Sequence, residues 1–329
     1  MTLPAVQDLV RKSFVKEIHR PAGDVRRVFH REKGDWSSDR KRIVEVDRER
    51  FAEQKVEGQA SVQREIAQGY TKDIVRKTIS VTRVVSGEAY KALTAHKLAQ
   101  YATQTGKDVV DKIELDMRNF IGLGDGSSYT DNGGFTIDTT TGDGQPFLDT
   151  AHTLKKSSTT YTNILSGAPS VSETSLESAE DFFAYNVTDN YGQRVSMKPN
   201  TIITSEKATM KNRISRILGS MSPEQIEGST NFNAGVKNTY RNKYRHLVIE
   251  FDVTALNVSN SNLAFYWFLA SLGGMPETSL QAYYVSWLSP MVAPAERNQD
   301  KWILSYTARA CYGIGAVSGK GMLVSKATT

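Results

Sequence analysis

The sequence is poor in the residues that most often carry chemistry. Among its 329 residues there is one cysteine, Cys311, and there are five histidines, His19, His30, His96, His152 and His246. A single thiol cannot build a disulfide framework or a multi-cysteine metal centre. No two histidines stand at metal-ligand spacing, so no metal is expected. Long hydrophobic runs are missing too. The longest, Leu263 to Leu272, is about half of what a bilayer-spanning helix needs, and no membrane partner is expected. Charge arrives at Asp8 and Arg11 before any apolar run develops, so a secretory signal is not expected either. Without secretion the glycosylation-type triplets Asn186-Val187-Thr188 and Asn257-Val258-Ser259 carry no weight, and the expected compartment is a reducing cytoplasm.

Nucleotide and nucleophile motifs are equally scarce. Gly315-Ala316-Val317-Ser318-Gly319-Lys320-Gly321 has three residues where a phosphate loop has four, and Gly321 stands where the magnesium-binding Ser or Thr would be. It reads as the glycine-rich turn of a terminal β-hairpin. Gly122-Leu123-Gly124-Asp125-Gly126 follows a helix rather than a strand, which makes it a helix stop and not a dinucleotide fingerprint. Asp125, Asp131, Asp138 and Asp143 lack the alternating spacing of a calcium loop. Asp149-Thr150-Ala151-His152 is the one acid–base constellation, and its expected role is a histidine hydrogen-bonded within a turn. No Gly-x-Ser-x-Gly elbow occurs, and Cys311 sits in an apolar strand as a core thiol would. The expectation is no enzyme: no catalytic residue and no cofactor.

What the sequence does contain is a charged, strand-forming segment that runs into a long helix. Apolar residues make up 39% and charged residues 23%, the composition of a globular chain with a real core. Net charge is +5 and unevenly spread: residues 1–100 hold 21 Lys and Arg against 14 Asp and Glu, residues 101–329 hold 20 against 22. The densest points are Arg26-Arg27, Arg31 to Lys33, and Arg40-Lys41-Arg42. Such a patch attracts nucleic-acid phosphates without sequence preference. Interleaved Asp24, Glu32, Asp35, Asp39, Glu45, Asp47 and Glu49 favour instead the reading in which these charges pair with acidic patches on adjacent copies of the chain or are simply solvated. Ile74 to Val85 is a β-branched run that reads as one strand. Paired strands with a polar tip bury too little to be stable alone, so this arm needs a neighbour to support it.

Ser86 and Glu88 then offer a helix start, and helical composition continues to Phe120, about 50 Å of helix. Leu98, Tyr101, Ala102, Val109, Ile113, Met117 and Phe120 form its expected buried stripe. Residues 122–170 are loop-rich, and a second helix is expected from Ser172, as cap, to Tyr185. Strands and helices alternate afterwards, with strands expected at 193–197, 201–204, 246–253, 265–269, 283–287 and 302–312 and a helix at 206–218. The fold class is α+β.

Taken in order, these pieces resemble the major capsid proteins of tailed phages, the Hong Kong 97 fold, and most closely the Mu-like head subunits. Gln68-Gly69-Tyr70-Thr71 through Glu88 resembles the return limb of that family's extended loop, and Glu88 to Phe120 its spine helix. Asp143-Gly144-Gln145-Pro146-Phe147-Leu148-Asp149-Thr150-Ala151-His152 resembles a stretch common in the Mu-like group. Lys198-Pro199-Asn200-Thr201-Ile202-Ile203 resembles a proline-led strand of the family, and Arg309 to Gly315 its closing strand. The resemblance implies an N-terminal arm (1–34), an extended loop (35–85), a peripheral domain with the spine helix (86–130 and 301–329) and an axial domain (131–300). It implies hexamers and pentamers closing into an icosahedral shell around double-stranded DNA. The implied partners are further copies of the chain, scaffolding, portal and decoration proteins, and the packaged DNA by non-specific contact. The implied location is the virion, assembled in the bacterial host cytoplasm. Trp36, Arg40, Lys41, Arg42, Lys55 and Lys72 are the candidates for contacts between subunits, and Arg26, Arg27 and Arg31 for a basic inner surface. Some family members crosslink the loop by a Lys–Asn isopeptide bond, but no partner for Lys41, Lys55 or Lys72 is readable here, and the bond is not expected. The alternative function with the same fold is an encapsulin-like nanocompartment shell.

Overall fold

The computed structural model describes residues 24–46, 68–88, 95–131, 133–220, 238–251, 261–274, 278–292, 296–298 and 303–328. It opens with a 3-10 turn, Asp24–Arg27, and strand β1 (His30–Lys33). β2 (Arg40–Val46) and β3 (Gln68–Val75) pair antiparallel, with Arg40 opposite Val75 and Val46 opposite Gln68. The β-branched run expected as one strand is broken at Arg76, whose N–H donates to the Asp39 carbonyl at 2.8 Å and whose guanidinium pairs with the Asp39 carboxylate. Beyond that anchor β4 (Lys77–Ser86) leaves the hairpin for another sheet.

Helix α1 (Ala95–Gly122) is 28 residues, about 42 Å of axis. Its buried face is Val109, Ile113, Met117, Phe120 and Ile121, the three-and-four spacing of a single stripe. Tyr101 departs from expectation: it is 40% exposed, while Thr105 one turn on is buried and its hydroxyl donates to the Tyr101 carbonyl at 2.8 Å. The side chains of Leu98 and Ala102 lie outside those described. The expected helix start at Ser86 is followed by helical residues 87 and 88, and residues 89–94 lie outside those described. The glycines after the helix work by size. A Cβ on Gly122 would come 2.9 Å from Phe251, and one on Gly124 would come 2.9 Å from Phe147.

Two short hairpins follow, β5 (Ser128–Thr130) with β6 (Thr136–Asp138) and β7 (His152–Leu154) with β8 (Ser157–Tyr161). α2 (Glu173–Asp181) begins at the expected cap. Ser172 accepts from the Ser175 N–H at 3.1 Å, and the Ser175 hydroxyl accepts from the Ser172 N–H at 2.8 Å. Phe182–Asn186 continues it as a π turn. The strand expected at 193–197 is reduced to one bridge, Thr188 with Arg194, although Val195 and Met197 are buried.

β9 (Thr201–Ser205), α3 (Ala208–Gly219), β10 (Arg245–Ile249), β11 (Trp267–Ala270), β12 (Gln281–Val292), β13 (Glu296–Asn298), β14 (Ile303–Ser318) and β15 (Met322–Ser325) complete the described chain. One sheet runs β10-β9-β11-β15, with β9 parallel to β10 and antiparallel to β11. Alternate residues face two cores: Ile202, Trp267, Leu269 and Leu323 meet α2 and α3, while Ile203, Phe268, Met322 and Val324 join the core under α1. The other sheet is built on β14. β4 pairs with residues 303–312, β12 with 308–318 and β13 with 303–305, and β1 runs parallel to β12. The expected terminal hairpin is therefore wrong. The turn at Gly319–Gly321 carries the chain from one sheet to the other, and β15 pairs with β11, not with β14.

Replacing Ile113 and Met117 by Asp puts two unpaired carboxylates into the core under α1, at several kcal/mol each. The expected outcome is loss of soluble protein, checked by yield and circular dichroism. A folded double variant would show that this face is not core.

Candidate functional site

The feature the sequence singles out, the hairpin of β2 and β3, is seated on β14 by shape. Even-numbered residues Ala308, Ala310, Tyr312 and Ala316 face the α1 core, and odd-numbered Cys311 and Val317 face away from it. On that far face Ile43 and Ile74 of the hairpin pack with Tyr283, Val285 and Trp287. Gly313 and Gly315 make the seat, since a Cβ on them would come 2.7 Å and 2.9 Å from Ile74. Cys311 is buried as expected, with its sulfur 3.3 Å from the Thr78 hydroxyl.

A polar anchor lies beside this seat. Glu45 Oε2 accepts from the Tyr70 N–H at 3.2 Å and from Asn190 Nδ2 at 2.8 Å, and its Oε1 accepts from Lys320 Nζ at 3.2 Å. Lys155 Nζ donates to the Gly69 carbonyl at 2.6 Å, and the Tyr70 hydroxyl is 3.1 Å from that of Thr153. The hairpin root is thus bonded to β7, to the 187–195 turn and to the C-terminal crossover. Nothing in the sequence marks Glu45, Asn190 and Lys320 as a group, because they are far apart in the chain.

The acid–base constellation is also re-paired. His152 Nδ1 is 3.0 Å from Asp143 Oδ2, not bonded to Asp149, and its ring stacks on Tyr161 with centroids 4.8 Å apart. Asp149 instead accepts from the N–H groups of Thr150 and Ala151, a turn arrangement. Burial pushes the Asp143 carboxyl up, but hydrogen bonds from His152 and Thr141 outweigh it and hold the group below the usual range. Among the described residues no group of three His, Cys, Asp or Glu is placed to hold a metal ion, and no helix is long and apolar enough to cross a membrane.

The candidate contact residues divide. Trp36 is 59% exposed, with the Arg76 guanidinium 5.1 Å from its ring centre. Arg40 and Arg42 are exposed and Lys41 half-buried. Arg42 forms a two-pronged pair with Asp73 at 2.8 and 3.0 Å, which holds that carboxyl low. Lys72 is engaged within the chain, donating to Asp138 and Thr140 at 2.6 Å. Lys55 lies outside the described residues. Of the basic candidates, Arg26 pairs with Glu114 of α1 at 3.0 Å, while Arg27 and Arg31 are exposed.

Asp143→Asn is expected to cost about 1–3 kcal/mol near neutral pH, the price of a buried charge-assisted bond. A carboxyl whose folded pKa is depressed stabilises above its unfolded value of 3.8, and the contribution is lost as pH falls through the folded value. Urea unfolding at pH 7 and pH 3 should show the variant's deficit shrinking at the lower pH. An undiminished deficit would mean that the carboxylate is not what stabilises.

No protein-family model matches this sequence, and no curated protein matches it. Solved structures do. A chain of Mycobacterium phage Adephagia has a TM-score of 0.49 at 10% identity, over 94% of this chain and 90% of that one. A virus-like particle from Pyrococcus furiosus has a TM-score of 0.48 at 10% identity, over 96% and 98%. The subunit of the bacteriophage PhiM1 mature capsid has a TM-score of 0.53 at 8% identity, over 93% of this chain and 87% of that chain. Helix α1, the seated hairpin and the two sheets together make an α+β fold similar to that of the PhiM1 capsid chain.

Proposed function

We propose that this chain is a major capsid protein whose hexamers and pentamers close into an icosahedral shell around phage double-stranded DNA. The observation that carries the reading is that nearly the whole chain follows the fold of the PhiM1 capsid subunit. Surface chemistry supports it. Trp36, Val75 and Val84 are large apolar side chains left more than half exposed on the hairpin segment and β4. Arg40, Lys41, Arg42 and Lys55, with Trp36, are the proposed contacts to neighbouring subunits. Lys72 acts from within the subunit, by fixing β3 against β6. Arg27 and Arg31 are proposed to face DNA, with Arg26 held on the spine helix.

The proposed division follows the sheets. Residues 1–34 form the arm and 35–85 the loop. The peripheral part is α1 with the β14 sheet, which draws in β12 from the 131–300 segment; the axial part is the β9 sheet with α2 and α3, which draws in β15. Scaffolding, portal and decoration proteins are the proposed partners, and the virion the location. The Mu-like group is proposed on the sequence resemblance of the Asp143 to His152 run.

The test is negative-stain microscopy with sizing of the chain expressed alone and with its neighbouring genes. Closed shells or rings carrying long DNA are expected. Shells carrying a cargo protein would give the nanocompartment reading, and a uniform monomer under every condition would overturn both. Because Val46 pairs with Gln68, residues 47–67 can be replaced by a two-residue turn without touching the seat. That variant should keep the circular dichroism of the body and fail to close shells; normal particles from it would remove the loop from assembly.

A further inference from the structure

Two helices lie on one face of the β9 sheet, and their outer surfaces carry opposite charge. α3 covers the β9 and β10 end of that sheet, where Met210, Ile214, Ile217 and Leu218 are buried. α2 enters from the other end: Trp267 Nε1 of β11 and Ser325 Oγ of β15 donate to the Pro169 carbonyl at 3.0 and 2.7 Å. The turn at 238–244 stands between the helices. Its Asn238 Nδ2 donates to the Ile217 carbonyl at 2.6 Å, and its Lys243 Nζ donates to Glu180 Oε2 at 2.7 Å.

The face of α3 turned away from the sheet holds Lys211, Asn212, Ser215 and Arg216, all exposed, with Arg213 half-buried at its border. From Ala208 to Gly219 there is no acidic residue. Among the described residues no carboxylate pairs with Lys211, Arg213 or Arg216, nor with the exposed Arg241 and Arg245 that follow. Cations elsewhere in the chain are matched, as Arg42 is by Asp73, Arg83 by Asp108, Arg118 by Glu250 and Lys326 by Asp125. Burial, and then the Lys211 charge, hold the His246 imidazole of β10 below its ordinary value, so the patch is felt at the sheet edge. Like charges left together repel one another until an anionic surface covers them.

The chain itself carries the matching surface. The outward face of α2 is Glu173, Thr174, Glu177, Ser178, Glu180 and Asp181, and the helix has no Lys or Arg. Glu180 is engaged by Lys243 and Tyr244, while Glu177 and Asp181 are exposed and have no cation in reach among the described residues. Burial and then the charges of Glu180, Glu177, Glu173 and Asp181 push the Tyr240 hydroxyl up, so these carboxylates act together on one side of the helix. Both helices are fixed on the same sheet with their charged faces turned outward, and the two faces cannot meet within one copy.

We propose that the basic face of α3 is the docking site for the acidic face of α2 from a second copy of this chain, repeated head to tail around a ring. Each copy gives one face and takes the other, the kind of heterologous contact that closes into rings. A nucleic acid would cover the basic face but leave the acidic face of the same layer bare and repelled. A second copy covers both. Exposed ion pairs add little affinity singly, but complementary patches set orientation and reject wrong neighbours by like-charge repulsion. The contact rests on the shell reading above and adds to it the surfaces by which a subunit selects its neighbour in the ring.

Charge reversal in the full-length chain tests this, read by negative-stain microscopy and sizing. Glu177→Lys with Asp181→Lys makes both faces basic, and Lys211→Glu with Arg216→Glu makes both acidic. All four positions are exposed, so the circular dichroism should stay that of the wild type. Where the wild type forms shells, each reversed chain alone should form none. The four substitutions together exchange the two faces, and closed shells should return. An equimolar mixture of the two reversed chains can alternate only around rings with an even number of copies, so it should give hexamers but neither pentamers nor closed shells. Shells from either reversed chain in wild-type yield overturn the proposal and leave the shell reading standing. A folded fourfold variant that does not assemble, or closed shells from the mixture, also overturns it. Shells of Lys211→Glu with Arg216→Glu that form normally but hold no DNA would assign the α3 face to nucleic acid instead. A wild-type chain that never assembles overturns the shell reading and this contact with it.

Discussion

The rest of the structure depends on β14, a 16-residue strand that carries small residues at chosen points on both faces. On one face Ala308, Ala310 and Ala316 let α1 lie close to the sheet, and on the other Gly313 and Gly315 admit Ile74 of the hairpin. Period-two alternation puts these two needs on alternate residues, so a one-residue slip would drive helix and hairpin into the wrong surfaces. Close packing makes that error costly, because interiors have no spare volume for even one methyl group. The direction in which the loop leaves the body is therefore set by the same strand that carries the spine helix. In a shell subunit this couples the element proposed to reach a neighbour to the body's own core.

Polar clusters reinforce the seating on both sides. Under α1, Asp116 accepts from the Tyr312 hydroxyl and from Lys112 Nζ, and Lys112 also reaches Asp131 at 2.8 Å. Burial and the Asp116 charge together push the Tyr312 hydroxyl well above its ordinary pKa, so it remains a donor to that carboxylate. Burial holds the neighbouring Lys77 below its usual value despite Asp116 and Asp131 nearby. Beyond the sheet, Glu45 is matched by Lys320 and Asn190. A buried charge parted from its partner costs several kcal/mol, which disfavours any seating of the hairpin that separates Glu45 from Lys320. Apolar contacts hold the hairpin down, and the ionic ones admit only one register.

Local features were legible in the sequence because their causes are local. The Ser172 cap, the lower half of the α1 stripe, the buried strand at Thr201 and the core role of Cys311 follow from neighbouring residues and period alone. Where expectation failed, a partner outside the local pattern had intervened. Asp39 breaks the β-branched run at Arg76, and β11 rather than β14 takes up β15 after the Gly319–Gly321 turn.

By itself the sequence determined the α+β class, the order of charged strands before a long helix, and the absence of the usual metal, nucleotide and nucleophile motifs, since composition and periodicity act over a few residues. Only the tertiary structure decided that the glycines near the C-terminus seat an isoleucine and cross between sheets, that Lys72 is satisfied within its own chain, and that Glu45, Asn190 and Lys320 meet. Those outcomes depend on contacts between segments up to 275 residues apart, and no local pattern encodes which distant surface will arrive.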